Sequence, residues 1–279
     1  MISHRKPTHS GTGGLVLLAL LLGIVLLATS KVCGATGTAA AHVQFDPTTA
    51  GNDVYIPLVF RSPQGCQPIP GASYGTWPIN GDPTDRPAEE HADLNLALRG
   101  YEPTDAYLGL VEYGPPADPW SPQLTGLYSP ARVPAFVAAY QVHHWDWDCN
   151  CRGPVITEPD VTLLGVAAQP GELIHVPPSG YDIGGGYEVL VLYTAPNRIT
   201  LKYTGEDNVV YGYTVHVEDI CVDPNLLALY EQMNTAGRSR LPALSAGQAF
   251  GYAVGSSFGV AIRDTGAFMD PRSHQDWWR

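Results

Sequence analysis

Apolar residues recur in short runs between turn residues through the second half of the chain. Val161–Val166 and Glu172–Val176 read as strands. Tyr187–Tyr193 is almost continuously apolar, which predicts a strand buried on both faces. Arg198–Tyr203 alternates, which predicts one face in the core, and Val209–Glu218 continues the pattern. Pro134–Val142 reads as a further strand. Leu94, Leu96 and Leu98 alternate with other residues, and Tyr107–Tyr113 follows the turn residues 102–105, so a pair of strands is expected there. One helix stands out over 224–234. Asp223 is its cap, Pro224 suits its first position, Leu226, Leu227, Tyr230 and Met233 share a face, and Gly237 can end it. The tail from Asp270 is expected to pack its tryptophans.

The first 41 residues change the picture of where the chain works. Arg5 and Lys6 precede a 14-residue apolar run, Leu15–Ala28, and Ala39-Ala40-Ala41 follows. The run is short for a membrane span and fits the core of a secretory signal, or an uncleaved N-terminal anchor. Either places the remainder outside the cytoplasm, secreted or anchored at the cell surface. Residues 42–85, rich in Pro, Gly and Thr, read as a linker with an extended segment at Val54–Phe60. Residues 86–150 read as a β extension or small β layer, and 151–279 as the main β domain.

Of 15 basic residues, three fall in the first 41, leaving 12 against 27 acidic residues in the rest of the chain. Lys202 is the one lysine among those 12. Such a surface repels phosphate backbones, so nucleic acid is not expected as a partner.

Of five cysteines Cys33 lies in the leader; Cys66, Cys149, Cys151 and Cys221, which remain once it is cleaved, form an even set that suggests two disulfides in an exported chain. Cys149 and Cys151 are separated by one residue, which argues against pairing them together. Cys66 is therefore expected to pair with one of them and Cys221 with the other. The same neighbourhood, His143-His144-Trp145-Asp146-Trp147-Asp148-Cys149, brings imidazole, carboxylate and thiol together and is a candidate metal site through His144 and Asp148. As a strand it would place Trp145 and Trp147 on one face, where their rings can stack on sugars. A disulfide-anchored strand with packed aromatics is the simpler reading.

The closing stretch has a glycine-spaced order. Gly247-Gln248 is followed by Gly251, Gly255 and Gly259, then Arg263, then Asp270-Pro271. Upstream, His144-Trp-Asp-Trp-Asp148, Gly171-Glu-Leu-Ile-His-Val-Pro177, Gly185-Gly-Tyr-Glu-Val-Leu-Val-Leu192 and Tyr213-Thr-Val-His216 follow in sequence. Together these resemble the M23 (LytM/lysostaphin-type) peptidases, in a degenerate form. The His-x-His of that family would fall at Ser257 and Gly259, neither of which binds zinc. The resemblance implies a mainly β fold, an antiparallel sheet or barrel-like LytM-type domain, with the helix at 224–234 inserted. It also implies a non-catalytic exported module that binds cell-wall glycopeptide or a partner enzyme of the envelope, with no cofactor. The alternatives are a zinc hydrolase with altered ligands, using His144, Asp148 and a catalytic His216, and a structural or carbohydrate-binding surface protein. A membrane enters only through the N-terminal segment, if that segment is retained.

Overall fold

Alternation in the sequence is realised as strands, all paired antiparallel within the two sheets. The computed structural model describes residues 66–112 and 118–279; the segment 1–41 read as a leader or anchor and the run at 54–60 lie outside the described residues. In chain order the elements are β1 (Gly75–Pro78), α1 (Leu96–Arg99), β2 (Tyr101–Pro103), β3 (Phe136–Asp146), β4 (Cys151–Val155), β5 (Leu163–Ala167), β6 (Leu173–His175), β7 (Val189–Ala195) and β8 (Arg198–Lys202). They continue with β9 (Tyr213–Glu218), β10 (Ile220–Val222), α2 (Pro224–Thr235), β11 (Arg240–Leu244), β12 (Ala249–Ala253), β13 (Ser257–Asp264), β14 (Ala267–Met269) and α3 (His274–Trp277). The large sheet runs β1-β11-β7-β8-β9-β13-β5-β3-β2, with β14 on β13 and β4 on β3; a second sheet is β10-β12-β6. The fold is mainly β, as expected.

One face of the large sheet carries the main core. Leu201, Val215, Val217, Val260 and Ile262 are fully buried there, with Phe250 and Phe258. β7 is buried on both faces, as its nearly continuous apolar run predicts, with α2 and the 88–90 turn packed against it. β8 departs from its pattern. Thr200 and Lys202, on its polar face, are as buried as Ile199 and Leu201. The chain from 88 to 99 crosses that face, and the Thr200 hydroxyl donates to the Leu94 carbonyl at 2.7 Å.

That crossing also corrects the strand pair expected at 94–98 and 107–113. Leu96–Arg99 is a single helical turn that buries Leu96 and Arg99 and ends at Gly100, whose φ of +66° lies in the left-handed region. Beyond β2, the described residues up to 112 form no further strand; the Thr104 amide donates to the Ala139 carbonyl of β3, and Val111 makes one isolated bridge to Ser273. The segment read as a linker contributes β1, which pairs along β11 from Gly75↔Ala243 to Pro78↔Arg240. β2, β3 and β4 extend the large sheet rather than forming a separate layer.

The helix is where its signals place it. Asp223 caps it by accepting from the Asn225 amide at 2.8 Å, and Leu226 and Tyr230 face inward. The other Asp223 oxygen accepts from the Ile69 amide and the Tyr74 hydroxyl, so the cap also secures the chain leading to β1. In the tail, the Trp277 and Trp278 indoles are buried and donate to the carbonyls of Asp270 and Pro271.

The expected cysteine pairing is overturned. Cys66 bonds Cys221 and Cys149 bonds Cys151. The β3–β4 turn carries Asn150 at φ +52°, which folds the chain back so that the Cys149 and Cys151 Cα atoms are 5.3 Å apart, well within bridging range. Cys66 is brought to β10 by the contacts its neighbours make with Asp223.

The two bonds differ as staples. Cys66–Cys221 closes a separation of 155 residues and Cys149–Cys151 one of 2. Loop-closure entropy assigns the first about 5 kcal/mol and the second about 2 kcal/mol or less. Urea unfolding of the paired variants Cys66→Ala/Cys221→Ala and Cys149→Ala/Cys151→Ala is expected to show a loss in that proportion. Equal losses would contradict the assignment.

Candidate functional site

The buried second face of the sheet is polar. Register places Arg198 opposite Glu218, Thr200 opposite His216, and Lys202 opposite Thr214. On the far side of β9, Thr214 faces Arg263 and His216 faces Ala261. Alternation therefore directs an entire set of polar side chains to the side covered by the 88–99 crossing.

Asp93 is the hinge of this layer. Its Oδ1 accepts from Arg99 at 2.6 Å and from Arg263 at 2.8 Å. Burial pushes the Asp93 carboxyl up, but Arg263 and Arg99 outweigh it and hold it at about 2. His216 lies alongside, fully buried and stacked on Phe268 at 6.3 Å. Its Nδ1 is 3.1 Å from the Thr200 oxygen, whose proton goes to Leu94. Nδ1 is therefore the protonated nitrogen, and Nε2 has no hydrogen-bond partner. Burial, reinforced by Arg263 and Arg99, pushes the imidazole down to about 3. Burial raises Glu218 to about 7 against the pull of Arg198, which is 3.4 Å away. Burial also lowers Lys202 to about 8.

An open cleft of about 450 Å³ lies at the edge of this layer. One wall is the turn Asp82–Arg86, another is His91 and Asp93, and Trp147, Asp207 and Asn208 complete it. Trp147 is 42% exposed. The Arg86 guanidinium lies 4.7 Å from its ring centre, and His91 meets it edge-on at 5.2 Å. Arg86 donates to both Asp85 oxygens at 3.0 Å, which holds the Asp85 carboxyl below its usual range. The His91 imidazole is lowered by burial, in spite of Asp93 and Asp85. Asp207 is held by Arg238 at 2.6 and 2.8 Å and accepts from the Thr84 amide at 3.0 Å, which fixes the turn at the cleft's rim. An apolar hollow of about 290 Å³ beside Pro159, Phe268 and Trp277 is less suited to chemistry. Its wall carboxylates are engaged, Asp270 by Arg272 and Asp276 by Ser273.

The residues singled out in the sequence are dispersed. His144 is exposed near the end of β3, Asp148 is exposed in the turn after it, and His216 is enclosed in the sheet. Among the described residues no group of three or more His, Cys, Asp or Glu side chains is placed to hold a metal. Gly259 is buried, and a side chain there would meet Glu218 and Leu163 at 3.3 Å. Of the tryptophan pair, Trp147 reaches the cleft, while Trp145 packs edge-on against it at 6.3 Å. The cleft's polar wall was not legible, because Asp82, Asp85, Arg86 and His91 come from segments without periodicity. The one usable signal was the turn composition of Asp82-Pro-Thr-Asp-Arg86. No protein-family description, curated protein or solved structure matches this chain.

His216 gives the fold an acid-labile component. Its folded value of about 3 is below the unfolded value near 6.5, so the unfolded chain binds the extra proton between those limits. The contribution is complete above pH 6.5 and declines as pH falls toward 3, by on the order of 4 kcal/mol. Glu218 acts with opposite sign between 4.5 and about 7, so a variant is needed to isolate the histidine. Denaturant midpoints between pH 6.5 and 4 should fall less steeply in His216→Gln than in the parent chain. Identical slopes would show that His216 is not the group responsible.

Proposed function

We propose that this protein is a non-catalytic saccharide-binding module whose ligand lies in the cleft at Trp147. The observation that carries the reading is the exposed indole of Trp147 standing beside the Asp85–Arg86 pair. A sugar ring offers an apolar C–H face to an indole and hydroxyl pairs to carboxylates and guanidinium groups. The acidic balance of the chain beyond the leader favours a ligand without strong negative charge.

Binding fits the cleft better than hydrolysis. A glycosidase needs a carboxylic acid kept protonated near neutral pH. Asp85 and Asp93 are both shifted the other way. The glycopeptide suggested by the M23 resemblance is one saccharide of this kind, and an extracytoplasmic setting is part of the proposal.

Co-sedimentation of the chain with insoluble peptidoglycan and with a neutral insoluble polysaccharide tests this. Binding to at least one is expected, weakened at least tenfold by Trp147→Ala. Trp120→Ala, which removes an exposed tryptophan outside the cleft, should leave it unchanged. Absence of binding to both, or binding indifferent to Trp147→Ala, would overturn the reading.

A further inference from the structure

The Cys149–Cys151 bond is in the wrong place to be a staple and in a good place to react. Both cysteines are exposed, at the tip of the β3–β4 hairpin. Cys66 and Cys221 are half-buried. A bond that spans two positions removes little freedom from the unfolded chain, whereas one that spans 155 removes a great deal. The hairpin is also held without it. Asp146 accepts from the amides of Asp148 and Cys149, and Asp146 pairs with Cys151 across the strands. Arg152 donates to the Leu98 and Ala97 carbonyls at 2.6 and 3.0 Å, which fixes the base of β4.

We propose that Cys149–Cys151 is a thiol–disulfide exchange site that takes dithiols as its reaction partners. An incoming thiolate attacks one of the two sulfurs, the S–S bond breaks, and the other cysteine leaves as a thiolate that takes up a proton. The second thiol of the partner then loses its proton and attacks the mixed disulfide. Cys149 and Cys151 end as two thiols, and the partner ends as a disulfide. Two electrons and two protons pass from the dithiol to this chain. The short spacing keeps the two thiols together, so the reverse reaction restores the bond.

One link runs from the exchange site to the cleft. Asn150, between the two cysteines, accepts from Arg86 at 3.4 Å, and Arg86 lies over Trp147. Opening the bond releases the left-handed constraint at Asn150 and is expected to alter Trp147 fluorescence.

The test uses the oxidised full-length chain in dithiothreitol buffers of increasing reduced-to-oxidised ratio. Acid quenching, alkylation and peptide mass spectrometry then read each cysteine separately. Cys149 and Cys151 are expected to become alkylated together at a ratio at least tenfold lower than Cys66 and Cys221, with the circular dichroism of the fold retained. Cys149→Ser/Cys151→Ser should keep that fold and lose the fluorescence response to dithiothreitol. If the two disulfides open within tenfold of each other, or Cys149–Cys151 opens only as the fold is lost, the proposal fails. The assay contains no saccharide, so its outcome is separate from that of the binding reading.

Discussion

One carboxylate shared between two arginines organises the molecule. Asp93 belongs to an irregular crossing, Arg99 to the helical turn that follows it, and Arg263 to a central strand of the large sheet. Removing two guanidinium groups from water is unfavourable unless a partner is fixed in place, and leaving either unpaired would cost about 3–5 kcal/mol. The crossing is thereby pressed onto a sheet face that would otherwise be wet. Thr200, His216, Lys202 and Glu218 are then buried in consequence, and their shifted protonation follows from that burial. The same clamp sets the inner wall of the cleft, since Asp93 lines it and His91 is two residues away. Fold, electrostatics and candidate site therefore share one contact.

The proposed chemistry is distributed around that clamp. Arg238 and Arg263 engage Asp207 and Asp93, so the carboxylates at the cleft's base are structural. Asp82, Asp85, Arg86 and Trp147 remain at the rim, where a hydroxyl-rich ligand can reach them. The hairpin that presents Trp147 ends in the exposed disulfide, so the proposed binding and the proposed exchange chemistry share one corner of the molecule.

The sequence was legible where periodicity carried the information. The strands β3, β5, β6, β7, β8 and β9, the helix α2 with its Asp223 cap, and the packing of Trp277 and Trp278 all follow from local pattern. Leu94, Leu96 and Leu98 misled because alternation over five residues does not distinguish a strand from a helical turn whose Leu96 and Arg99 point inward. β1 was hidden in a Pro/Gly-rich stretch because its partner β11 lies far along the chain. The cysteine pairing failed on one backbone angle, at Asn150. Of the candidate site only Trp147 was foreseen, since a site assembled from turns at 82–93 and 207–208 leaves no periodic trace. The sequence motif around His216 and Gly259 marks adjacent strands, and the structure encloses both in the sheet.

Hydrogen exchange on Asp93→Asn, compared with the parent chain at neutral pH, tests the clamp most directly. Amides at 88–99 are expected to lose protection by at least tenfold, while those of β8, β9 and β13 keep theirs until global unfolding. Unchanged protection at 88–99 would contradict the view that the shared carboxylate holds the crossing, the buried polar layer and the cleft together.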